Sequence, residues 1–190
     1  MRLYTAVLFV LTLLCACNNT TKEAQEGDEY LTKGKEVIQH TLNKLSGELK
    51  QAMRQGGVRQ AVPYCNANAL PITQQIAQKY GAQVRRTSIR NRNAKNAPTA
   101  HEKLIIQQYA QQLTAGKKLK PMVSQLPNGN TMFNAPILLR ASCLNCHGTV
   151  GQHITETDYQ VIQSLYPNDK AIGYKVAELR GIWSVTFEKK

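Results

Sequence analysis

Two thiols three residues apart, followed at once by an imidazole, constrain this chain more than any other feature of its sequence: Cys143-Leu144-Asn145-Cys146-His147. On a single helical turn, both sulfurs reach one edge of a planar macrocycle and the imidazole comes up beneath its centre. That is the chemistry of c-type haem attachment, and Cys-x-x-Cys-His is its sequence signature. With 5 Cys and 4 His in 190 residues, chance supplies roughly 0.003 such matches over the whole chain. A redox Cys-x-x-Cys pair would need a βαβ context that the residues before Cys143 do not provide. A zinc site from Cys143, Cys146, His153 and Cys65 has suitable ligand types but one close pair only, and a plain 143–146 disulfide is the third alternative. One motif predicts one covalent haem, which excludes multihaem wires and dihaem peroxidases.

The N-terminus sets the compartment. Arg2 precedes an apolar run of 11 residues, Tyr4–Leu14. This is too short to span a bilayer, which takes about 20 residues, but suits a signal-peptide core. It ends in Leu14-Cys15-Ala16-Cys17, similar to the lipobox of bacterial lipoproteins. Residues 1–16 are therefore read as a signal peptide, Cys17 as the lipidated residue, and 17–29 as a polar and acidic tether. The expected location is the periplasm or cell envelope, lipid-anchored to a membrane, with Asn18 favouring the outer one. The alternative is an ordinary signal peptide cut nearby. After lipidation and haem attachment Cys65 is the thiol left over, either an inert buried Cys or a metal ligand.

The remainder, 30–190, reads as one domain. Leu31, Ile38, Leu42, Leu45, Leu49 and Met53 recur at three- and four-residue steps and predict a helix over 28–54, closed by Gly56-Gly57. A second helix is expected from Val58 to near Pro71 and a third over 72–80, stopped by Gly81. Residues 83–89 alternate like a strand. Thr99 caps a helix over 100–115. Asn128-Gly129 turns a hairpin between 121–126 and 131–139. Residues 155–165 form a short helix and 181–188 a closing strand. Helices first and strands later predict an α+β fold with an antiparallel sheet. Small soluble cytochromes c carry the motif early and a Met ligand after it, whereas here no Met follows Met132. The four-helix cytochrome c′ type, with a late motif, is the runner-up.

Five blocks occur in a particular order: an early Cys in a helix; Arg86-Thr87-Ser88-Ile89-Arg90-Asn91 with Asn96-Ala97-Pro98; Cys143–Gly148; Tyr166-Pro167-Asn168-Asp169-Lys170-Ala171-Ile172-Gly173-Tyr174; and Arg180–Val185. Together they resemble the bacterial PAS-like c-type haem domains, over roughly 30–190. The resemblance implies a PAS-like antiparallel sheet with long N-terminal helices packed on it. It further implies one haem c held by Cys143, Cys146 and His147, with the thiolate of Cys65 as the other axial ligand. Arg92 stands where the family tends to have Pro.

His40, His101, His153, Met122 and Met132 are the rival sixth ligands. Nine Lys or Arg lie between Arg85 and Lys120 against one acid, Glu102, within a net charge of +12. Nucleic acid is the usual partner of such a run, but export and the lack of interleaved aromatics argue against it. Arg90, Arg92 and Arg180 are assigned to the haem propionates. No hydrolase triad, phosphate loop or carboxylate pair is present, so catalysis is not expected. The expected function is a redox or small-ligand sensor or binding module. The alternative is a one-electron carrier, and a haem peroxidase is a distant third. No output domain is expected in cis, so the partner is a separate redox or signalling protein of the envelope.

Overall fold

The computed structural model describes residues 17–189, with side chains from residue 25. The expected signal peptide and the side chain of Cys17 lie outside that range. The first helix, α1, runs over Cys17–Lys79 and is broken at Gly56 (φ −165°, ψ 23°) and Gly57 (φ 64°, ψ −151°). Gly57 takes the left-handed conformation that other residues adopt only with strain, and there the helix folds back on itself. Tyr64 Oη donates to Glu48 Oε2 at 3.1 Å and Tyr80 Oη to Glu36 Oε1 at 3.2 Å, while the His40 and Tyr80 rings meet edge-on at 5.7 Å. The two arms therefore run antiparallel.

Two features of α1 differ from expectation. The helix reaches back to Cys17 through the segment read as a tether, because Lys22-Glu23-Ala24-Gln25-Glu26 are good helix formers and no proline interrupts them. The second arm, expected to pass Pro63 and stop by Pro71, continues across Pro71 to Lys79. Both prolines are on the exposed side, where the carbonyls their rings free from the helix are hydrated.

The strands are β1 (Ala82–Thr87), β2 (Met122–Gln125), β3 (Thr131–Leu138) and β4 (Leu179–Phe187), in the antiparallel order β1-β4-β3-β2. The period of two sorts each strand into two faces. Val84, Phe133, Trp183, Val185 and Phe187 pack on Val37 and Ala77 of α1. Gly34 is what brings α1 so close, since a Cβ there would collide with the Phe133 ring. On the opposite face, Ile182 packs on Ile105, Ile106 and Tyr109 of α2 (Ala100–Thr114). Thr99 caps α2 in a full capping box with Glu102. The hydroxyl of Tyr109 meets the carbonyls of Lys120 and Asn134 at 2.9 and 3.0 Å.

A 3₁₀ turn (Ala141–Cys143) leads into α3 (Leu144–His147), and α4 (Glu156–Leu165) buries Ile162 against Val58 and Val62 near the fold-back of α1. The fold is thus α+β, a PAS-like antiparallel sheet with long N-terminal helices on it. The rings of Tyr30 and Phe187 lie 5.2 Å apart, so the start of α1 sits at the end of the sheet where β4 finishes.

Candidate functional site

At the other end, where β1 stops at Thr87 and β4 begins, the core opens into a cavity of about 350 Å³. Leu42, Leu49 and Met53 of the first arm and Ala61, Val62 and Cys65 of the second form its helical wall. Trp183 and Gly181 of β4 form the sheet wall, and Cys143, Cys146 and His147 project from the turn and α3. Cys65 thus shares one space with a motif lying far along the chain. His40, His101, His153, Met122 and Met132 do not line it. His101 and Met122 belong to the α2 side of the sheet, and the His153 Nδ1 accepts from the Thr149 N–H at 3.2 Å. Met53 is a sulfur donor that the sequence reading passed over as part of the helix's apolar stripe.

Gly181 fixes how closely the strands approach at this mouth. Its φ is 155°, and a Cβ there would run into the carbonyl oxygen of Thr87. Cys65, Cys143 and Cys146 are all free thiols, which disposes of a 143–146 disulfide in this structure. Among the described residues no group of three or more His, Cys, Asp or Glu is arranged to hold a metal ion.

His147 is oriented from behind. Its Nδ1 lies 2.7 Å from the carbonyl oxygen of Ala171, which can only accept, so Nδ1 carries the proton and Nε2 keeps a free lone pair. Burial above all, with the charges of Arg92 and Arg180, holds the imidazole well below its usual pKa and therefore neutral. The Tyr174 ring stands edge-on to it at 6.3 Å. The carbonyl of Ala171 is itself held in place. Its residue's N–H donates to Asp169 Oδ1 at 2.7 Å, and Asp169 pairs with Arg92 at 2.9 Å. Arg92 Nη2 then donates to the Cys146 carbonyl at 2.6 Å. Arg92, which stands at a proline position of the family pattern, is a strut between the motif and the loop that orients His147.

The other arginines divide unexpectedly. Arg90 does not line the cavity. It donates to the carbonyls of Lys170 and Ile172 and stacks on Tyr174 at 3.8 Å. Arg180 lines the cavity, spends Nη1 on the Arg90 carbonyl at 3.0 Å, and has a buried Nε without a partner. Arg86 also lines it and makes no hydrogen bond or ion pair among the described residues, resting only near the Trp183 ring at 5.5 Å. The sequence reading did not single out Arg86. Alternation in β1 carried the signal, because it puts Arg86 with Val84 on the inner face and sends Arg85 across to Glu102.

Burial pushes the Cys65 thiol up, while Arg86 and Arg92 work against that rise. Cys146 is pushed up to about 11, again by burial. The cavity therefore presents a neutral imidazole with a directed lone pair, three thiols and the Met53 thioether, in a largely apolar wall with arginines and small polar side chains along part of it.

This arrangement defines an α+β domain in which a helical hairpin and a short Cys-x-x-Cys-His helix wall a single cavity at the end of an antiparallel sheet. The chain belongs to the Tll0287-like family, whose profile matches residues 18–187. Among solved structures it is similar to the cyanobacterial haem protein Tll0287, with a TM-score of 0.59 and 26% identity, covering 86% of this chain and 94% of that one. Comparison with curated protein sequences finds no match.

Proposed function

We propose that the chain carries one haem c in this cavity, attached through Cys143 and Cys146, with His147 and Cys65 as axial ligands. On this reading it acts as a redox or small-ligand sensor or binding module. It is exported and anchored through a lipid on Cys17, facing a redox or signalling protein of the cell envelope. The observation that carries the reading is the meeting of Cys65 with Cys143, Cys146 and His147 in one cavity that His40, His101, His153, Met122 and Met132 do not line. The likeness to a haem protein supports it.

The residues fit the group. The two motif thiols are free, the imidazole offers Nε2 and not Nδ1, and arginines with donors to spare line a largely apolar cavity. Bound haem supplies one-electron chemistry and, where an axial ligand leaves, a coordination position. The chain supplies the rest. His147 is held neutral and aimed by Ala171, and Arg92 with Asp169 fixes that carbonyl. Burial holds Cys65 on the thiol side, with the charges of Arg86 and Arg92 pulling toward the thiolate. Without iron the thiol is favoured; bound to ferric iron the thiolate is, and a thiolate ligand lowers the reduction potential relative to Met.

The test uses the full chain expressed with a cytochrome c maturation system. Intact mass should show one haem added, resistant to acid-acetone extraction. The oxidised protein should give a low-spin thiolate-type spectrum, and Cys65→Ser should abolish it and admit an external ligand. Extractable haem, bound zinc, or a spectrum indifferent to Cys65→Ser overturns the reading. A one-electron carrier is the second reading. It is favoured by Leu42 and Leu49, which line the cavity yet stay 40% and 36% exposed, leaving an open edge for electron exchange. Carbon monoxide binding to the reduced protein favours the sensor, and iron that refuses ligands in both redox states favours the carrier.

A further inference from the structure

Among the described residues three arginines line the cavity, Arg86, Arg92 and Arg180, and no Asp or Glu does. Among the described residues the one carboxylate paired with any of them is Asp169, on Arg92, and that pair is nearly out of solvent at 13% and 2% exposure. Two positive charges are left over. They belong to the two side chains with donors to spare. Arg180 has a buried, unpartnered Nε, and Arg86 has neither a hydrogen bond nor an ion pair. A guanidinium carries five donors and does not lose its proton, so a wall that gives it no acceptor leaves its charge uncompensated at a cost in stability. Burial already weighs on the charged form of both. The fold tolerates this only where an anion completes the wall.

We infer that Arg86 on β1 and Arg180 on β4 form a two-point carboxylate clamp, and that the cavity selects a macrocycle bearing two carboxylates turned inward against the sheet. The inference rests on the haem reading and reassigns its arginines. Arg90 is spent on the carbonyls of Lys170 and Ile172, and Arg92 on Asp169 and the Cys146 carbonyl. The charges close. A ferric porphyrin core is singly positive and a Cys65 thiolate singly negative, so these cancel and leave two carboxylates for two free guanidinium groups. Arg86 stands opposite Trp183 in the antiparallel register of β1 and β4, and Arg180 lies on β4 just beyond the last registered pair, Thr87 with Ile182. The clamp would give the macrocycle one orientation: carboxylate edge toward the sheet, thioether edge toward α3.

The test has two arms. In the full chain with Cys143→Ser and Cys146→Ser, haem binds without covalent attachment, and its affinity is compared with that of haem dimethyl ester, the same macrocycle with neutral side groups. Free haem should bind at least about tenfold more tightly, as expected for charge-assisted hydrogen bonds. Adding Arg86→Leu and Arg180→Leu should erase the difference. In the covalently loaded protein, either substitution should shift the propionate-bending band of the resonance Raman spectrum and leave the thiolate-type absorption in place. Arg59→Leu, a charge loss on the exposed side of α1, should do neither. Equal affinity for haem and its ester overturns the clamp. So does a propionate band that neither substitution moves. Loss of the thiolate spectrum in Arg86→Leu with the band intact would instead make Arg86 the counter-ion of Cys65, and the clamp fails. Absence of haem from the intact mass sinks the haem reading itself and is seen before either arm is run.

Discussion

Tyr109 shows how much a single side chain holds on the side of the sheet away from the cavity. It is fully buried, its hydroxyl ties the Lys120 and Asn134 carbonyls together, and burial pushes its pKa above the usual phenol value of 10. Tyr109→Phe should cost about 1–3 kcal/mol in urea unfolding, because the buried Asn134 carbonyl and the part-buried Lys120 carbonyl lose the one proton they share. The pH dependence has a definite sign. Above about pH 10 the unfolded chain releases the phenol proton while the folded chain retains it, so stability falls as pH rises. Tyr109→Phe should flatten that fall relative to wild type between about pH 10 and 11. A wild-type slope unchanged by the substitution would refute the assignment. At the same scale, the sequence was legible where chemistry is local. Cys143, Cys146 and His147 stand out by their spacing alone, and all three line the cavity. Arg86, Arg90 and Arg92 could not, because residue type does not say which way a loop turns a guanidinium. Arg90 and Arg92 lie in the loop after β1 and were claimed by backbone carbonyls, while Arg86 sits in the strand and faces inward.

At the scale of elements, two glycines of α1 test the packing in opposite directions. Gly34→Ala pushes a methyl into the Phe133 ring and should destabilise by roughly 1–3 kcal/mol through overpacking, even after the gain in helix propensity. Gly47→Ala meets nothing within 4 Å and should stabilise by about 1 kcal/mol. Chemical denaturation of both variants checks the pair, and equal effects would mean that α1 does not lie on β3 as described. Thr99→Ala, which removes the capping-box oxygen of α2, should cost about 1 kcal/mol. The Thr99 cap, the Asn-Gly turn and the alternation over 83–89 made α2, the hairpin and β1 legible to within a few residues. The helix past Pro63 and Cys65 was legible, but its continuation was not: Pro71 reads as a stop, and only the fold shows that it faces solvent, where a missing backbone bond is cheap. Helical periodicity does not say what Cys65 faces, so its place in the site could come from resemblance but not from local pattern.

At the scale of the whole molecule, the basic run between Arg85 and Lys120 does not survive as one patch. Arg85 turns to Glu102, Arg86 and Arg92 face the cavity, and Lys117, Lys118 and Lys120 stay on the surface. This division explains why a charge cluster in the sequence need not be a nucleic-acid surface in the fold. The membrane proposal has its own test: Cys17→Ser should move the protein from the membrane fraction to the soluble one and remove the acyl mass. A variant still membrane-bound at unchanged mass would end the lipid reading. The length of α1 then acquires a meaning as a ruler. From Cys17 to Leu42, the first residue of the cavity wall, the helix is unbroken. At 1.5 Å per residue that stretch measures about 38 Å, more than the roughly 30 Å hydrocarbon thickness of a bilayer. A chain fastened at residue 17 carries its cavity on a mast. A standing helix would lift it beyond the reach of proteins flush with the same membrane, and a partner would have to be tall, soluble, or rooted in the membrane opposite.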